Sequence, residues 1–158
     1  MKLSKYLELS EAIKSDTAIR LGLKNYPSPE EMKNLEALAV NIIDRLNNET
    51  QLTFGYHSIF RSESLNIAVG GSTTSQHCKG EAADLDCEIF GKNEDNAHMF
   101  KYIRDNLDFD QLIWEHGNDV APDWVHVSYK RIGKNRKQVL RCYREKGRTV
   151  YKPCKDKK

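Results

Sequence analysis

Between Ser75 and Asp84 the chain reads Ser-Gln-His-Cys-Lys-Gly-Glu-Ala-Ala-Asp, which sets the imidazole of His77 and the carboxylate of Asp84 seven positions apart around Gly80. Further along, Trp124-Val-His126-Val-Ser128 supplies a second imidazole. Two neutral histidines and one carboxylate give a zinc ion three protein ligands and leave the fourth tetrahedral position to water, as in catalytic rather than structural zinc sites. Gly80 lets the backbone turn so that Asp84, on the strand that follows, returns to the same ion, and Ala82 is small enough to leave that approach open. Ser75 is placed to orient the loop or a ligand. On an extended strand Trp124, His126 and Ser128 point one way while Val125 and Val127 pack behind, so His126 faces a cleft beside Trp124.

The elements that must hold these residues are partly legible. Ser28-Pro29-Glu30-Glu31 is a helix start with a capping box and proline at the first helical position, and Met32, Leu35, Leu38, Ala39, Ile42, Ile43 and Leu46 recur at helical spacing over 29–47. A shorter helix is expected within 10–21, followed by a connection through Gly22 and Pro27. Ala97, Phe100, Ile103 and Leu107 predict a helix over 94–107 with Asn93 as its N-cap. Strands are predicted over 52–58, 82–89, 111–115 and 124–129, separated by turn-rich segments such as Gly70-Gly71-Ser72 and Gly117-Asn118-Asp119. Antiparallel sheet with flanking helices, an α+β fold, is the economical assembly.

At 158 residues, 39% of them apolar, with no run long enough to span a bilayer, the chain reads as one domain without membrane insertion. Met1-Lys-Leu-Ser-Lys-Tyr has no apolar stretch behind it, so no secretory signal is visible and synthesis in a cytoplasm is expected. Cys78, Cys87, Cys142 and Cys154 form no Cys-x-x-Cys pair, which argues for reduced thiols rather than a zinc ribbon or dithiol motif. Cys78 neighbours His77, yet an isolated cysteine more often packs than ligates. The net charge of +2 conceals an asymmetry: from Lys130 to Lys158 there are thirteen Lys or Arg and two acids, +11 locally, leaving −9 on residues 1–129. Such a tail either meets an anionic polymer or only aids solubility.

Ser-x-His-x-x-Gly-x-Ala-x-Asp at 75–84 followed by Trp124-x-His126 resembles the zinc D-alanyl-D-alanine carboxypeptidases, peptidase family M15, including the phage endolysin-like enzymes of its subgroup A. The likeness extends to Ser58-Ile-Phe-Arg61-Ser-Glu-Ser-Leu-Asn66 with Gly70-Gly71-Ser72, and to Asp110-Gln-Leu-Ile-Trp-Glu115. It implies a Hedgehog/DD-peptidase-like fold, one zinc ion on His77, Asp84 and His126, and hydrolysis of peptidoglycan stem peptides, as a carboxypeptidase or an endopeptidase. Residues 1–140 then form the zinc peptidase domain and 141–158 a basic C-terminal extension, in a monomer.

Two acids fit the family's general base, Glu115 at the end of a strand and Asp123 three residues before the last histidine. Strand alternation sets Asp123 opposite His126 unless Pro122 swings it round. The resemblance also implies that Arg61 steadies a substrate carboxylate or the developing oxyanion, for which guanidinium geometry is suited. Ser75 and Trp124 are taken as further substrate contacts. His57 is expected to line the cleft, His98 to be exposed, and His116 to support the site or be solvated. A peptidoglycan hydrolase without an export signal fits a phage lysis enzyme or a virion-associated one, its basic tail drawn to an anionic envelope. The competing expectations are a zinc-containing wall-binding or virion module without turnover, and a nucleic-acid binder acting through 130–158.

Overall fold

The computed structural model describes residues 1–154. Two short helices, α1 (Leu9–Ala12) and α2 (Asp16–Leu21), stand where one was expected, parted because α1 ends at Ile13 and Ser15 starts a new cap by accepting the Ala18 amide. The capping box at Ser28 and Glu31 forms as read, and α3 (Pro29–Leu38) passes through a π-turn (Ala39–Ile43) into α4 (Asp44–Glu49). That turn keeps Ala39, Ile42 and Ile43 all fully buried along one long helical run.

Then follow β1 (Gly55–Ser58), α5 (Glu63–Ala68), a 3-10 turn (Gln76–Lys79), β2 (Ala82–Asp86), a second 3-10 turn (Cys87–Phe90), α6 (Asp95–Asn106), β3 (Gln111–Glu115), β4 (Trp124–Ser128), β5 (Gln138–Glu145) and β6 (Arg148–Pro153). Asn93 does not cap α6. Glu94 holds that position, and the Asn93 side-chain amide instead donates to Pro122 O at 3.1 Å.

The six strands form one sheet in the order β1-β2-β4-β3-β5-β6. The sheet is mixed rather than wholly antiparallel, because the chain crosses from β4 to the far side of β3 and β5 runs parallel to β3. The boundary expected between residues 140 and 141 falls inside β5, and residues 141–153 of the expected extension lie in the β5–β6 hairpin; positions 155–158 lie outside the described residues.

One face of the sheet, with Ala83, Leu85, Leu112, Trp114, Val125 and Val127, is buried against Leu35, Leu38, Ile42 and Leu46 of the long helix and Met99, Phe100 and Ile103 of α6. The Phe100 and Trp114 rings meet edge to face, with centroids 5.2 Å apart. Since side chains alternate along each strand, Asp84, His126 and Glu115 stand on the other face. Among the described residues no helix is long and apolar enough to cross a membrane.

Candidate active site

The turn bearing His77 is fixed from three sides. Ser75 Oγ accepts the His77 amide at 3.2 Å and begins the turn, and Gly80 ends it at φ 74, in the left-handed region. A Cβ at Gly80 would lie 2.6 Å from Glu31 O, so the turn is seated against the backbone of α3 as well as twisted. Asn34 of α3 adds a bond to Lys79 O at 2.9 Å. His77 is 3% exposed, and its Nδ1 donates to Ile59 O at 2.7 Å. Since a carbonyl can only accept, Nδ1 carries a proton, and Nε2 is the nitrogen left to face Asp84 and to bind a metal when the ring is neutral.

Strand pairing brings the other two donors to that nitrogen. Asp84 of β2 is the register partner of His126 of β4. His77 Nε2 stands 3.3 Å from Asp84 Oδ2, and His126 Nδ1 stands 2.9 Å from Asp84 Oδ1. Burial alone would raise the Asp84 carboxyl, but the two imidazoles hold it well below the usual carboxylate range. The three ligand atoms lie within 4.8 Å of one another. Their mutual spacing, the two nitrogens and one carboxylate oxygen, and the proton held on Nδ1 of His77 all fit a divalent cation with open coordination positions.

Glu115 lies one register step away on the same face, opposite Trp124 and beside Cys142 of β5. It is buried, which pushes its carboxyl up; the Cys142 S–H donates to it, and the nearby His126 and His116 favour its charged form. Burial and the Glu115 charge push the Cys142 thiol up to about 12. Asp123 is exposed, and its amide donates to Glu115 O at 2.8 Å, continuing the ladder one residue beyond β4.

A model of the family described as Peptidase M15 matches residues 5–128. The chain belongs to peptidase family M15. Peptidases of this family are generally metal-dependent, which agrees with the donor set of His77, Asp84 and His126. No curated protein matches the chain. The M15 match ends with β4, so the β5–β6 hairpin that carries Cys142 lies beyond it.

Of the remaining expected residues of this M15 chain, Arg61 is tied to the turn that carries His77. Arg61 reaches Ser75 Oγ through Nη2 at 3.4 Å, and its amide donates to His77 O at 3.2 Å. Its buried Nε has no hydrogen-bond partner among the described residues. Arg61, Lys14, Asp16, His57 and Ser58 line a cavity of about 320 Å³. Trp124 is flanked by the rings of His57 and His116, at centroid distances of 6.1 and 5.4 Å. His98 is exposed on α6, and Cys78, half-buried, is not among the clustered donors.

Sequence reasoning missed a buried network behind the rim. His57 Nε2 donates to Asp86 Oδ2 at 2.6 Å, while Asp86 Oδ1 accepts from Asn96 Nδ2 at 2.8 Å. The same Asn96 amide reaches Pro122 O and Asp123 O, and its Oδ1 accepts the Cys87 amide at 2.7 Å. This fully buried asparagine ties β2 and α6 to the β3–β4 connection. The signal available was Asp84-x-Asp86, whose second acid shares the face of the first.

Proposed function

We propose that this M15 peptidase is a zinc enzyme that hydrolyses peptide bonds in peptidoglycan stem peptides, as a D-Ala-D-Ala carboxypeptidase or an endopeptidase, on a Hedgehog/DD-peptidase-like fold. The observation that carries the reading is the convergence of His77, Asp84 and His126 on one sheet face beside a buried carboxylate. His77 Nε2, His126 Nδ1 and an Asp84 oxygen would hold the ion. When bound, zinc supplies the Lewis acidity that makes water a nucleophile near neutral pH.

The protein's own groups do the rest. Glu115, desolvated and therefore more basic than an ordinary carboxylate, takes the proton of the attacking water and returns it to the leaving amine. Arg61, which lines the cavity, binds a substrate carboxylate or the charge developing on the carbonyl oxygen through its guanidinium. Ser75 fixes the arginine, and Trp124 offers a flat apolar wall to the peptide. Asp123, out on the surface, is the weaker candidate for the base.

The setting that fits is a phage-type lysis enzyme reaching the wall from the cytoplasm, or a virion-associated one, acting as a monomer. The Lys and Arg of residues 130–158 would draw it to an anionic envelope polymer. The test is digestion of purified peptidoglycan by zinc-loaded protein with products identified by mass spectrometry. Loss of a terminal D-Ala marks a carboxypeptidase, and cleavage within the stem or cross-bridge an endopeptidase. Zinc-loaded protein that releases nothing from any wall type, yet retains wall in a pull-down, would instead mark a binding module without turnover.

A further inference from the structure

A second set of donors converges next to the first. Glu115 at the end of β3, His116 directly after it and Cys142 on β5 have ligand atoms all within 4.8 Å of one another. Register places them there: Glu115 pairs with Cys142, and the His116 amide donates to Cys142 O at 2.8 Å. His116 takes a left-handed backbone, φ 52, uncommon for a residue with a side chain. Its Nε2 comes to rest 3.8 Å from Cys142 Sγ. Zinc bonds of roughly 2.3 Å to sulfur and 2.05 Å to nitrogen, at a tetrahedral angle, separate those atoms by about 3.6 Å. The pair is therefore nearly at coordination spacing.

We propose that Glu115, His116 and Cys142 form a second metal site, selective for a thiolate-preferring divalent cation such as zinc or cobalt, and that filling it inhibits the enzyme. Binding releases the Cys142 thiol proton to solvent. The resulting thiolate and the Glu115 carboxylate balance the double positive charge, and neutral His116 adds a third bond. Cys142 and Glu115 are both buried, so the donors are held away from competing water. The inhibitory part rests on the proposed role of Glu115: a carboxylate bonded to a dication is far less basic and takes up a proton poorly.

Cobalt(II) tests the site in the full-length protein, because a cysteine thiolate on cobalt gives a near-ultraviolet charge-transfer absorption that two histidines and an aspartate do not. Wild type should take up two equivalents, the thiolate band appearing with one of them. His77→Ala should keep one equivalent and the band, whereas Cys142→Ser and His116→Ala should each keep one equivalent without it. A single equivalent with no thiolate band in wild type overturns the site. So does a band that survives in Cys142→Ser, which would trace to Cys78. Excess zinc should slow wild-type hydrolysis roughly 100-fold, the loss expected for a captured general base, and His116→Ala should resist it. Wild type that binds two equivalents yet hydrolyses no peptidoglycan at any metal loading supports the site and contradicts the hydrolase reading.

Discussion

Glu115 is the residue whose environment differs most from its appearance in the chain. A carboxylate at a strand end is ordinarily solvated, but here β5 closes over it and places a thiol against it. Its raised pKa has a definite sign in stability. A carboxyl harder to ionise when folded than unfolded adds stability that is present at low pH and lost as pH rises through the folded-state value. In metal-free protein, Glu115→Gln should therefore melt higher than wild type at neutral pH, and the gap should close near pH 4; calorimetry across that range measures it. The grouping of His77, Asp84 and His126 was legible, because they sit in short motifs whose spacing carries the geometry. Cys142 and Asn96 were not, because a buried polar residue acquires its meaning from partners that only the fold brings near.

At the scale of elements, the turn from Ser75 to Gly80 carries the most functional weight. Gly80 was read as the residue that lets the backbone turn; the structure adds that α3 leaves no room for a side chain there. Gly80→Ala should destabilise the protein by about 2 kcal/mol or more, combining the left-handed penalty with the clash against Glu31 O. Because His77 rides on the same turn, zinc affinity measured by competition with a chelator should fall as well. Strands β2, β3 and β4 were readable from their apolar runs. β5 was not: Gln138-Val-Leu-Arg-Cys-Tyr-Arg-Glu alternates weakly, with Arg144 and Glu145 exposed but Arg141 half-buried over the Trp114 ring. The π-turn at 39–43 was equally hidden, since it shifts the helical stripe without breaking it.

For the molecule as a whole, the charge asymmetry and the topology meet in the C-terminal hairpin. β6 is an edge strand carrying Arg148 and Lys152, and exposed cations on an edge discourage pairing with other chains. Its partner β5 covers β3, which would otherwise be that edge. The hairpin is thus structural as well as basic, although the family match stops before it. Upstream of it, Arg136 pairs both Asp110 oxygens, at 3.0 and 2.8 Å, and fixes the crossover that delivers β5. Truncation after residue 137 should expose β3 and Glu115 and give protein that aggregates or loses its cooperative melt, as judged by gel filtration and thermal unfolding.

The most direct measurement of the central claim is bound zinc and hydrolysis of a stem peptide, determined on the same samples of wild type, His77→Ala, Glu115→Gln and Asp123→Asn. His77→Ala should lose both the catalytic zinc and turnover. Glu115→Gln should retain the catalytic zinc and lose turnover by roughly 10²- to 10⁴-fold, the usual contribution of a general base, while Asp123→Asn stays within a few-fold of wild type. Full turnover by Glu115→Gln, or by His77→Ala lacking that zinc, would contradict it.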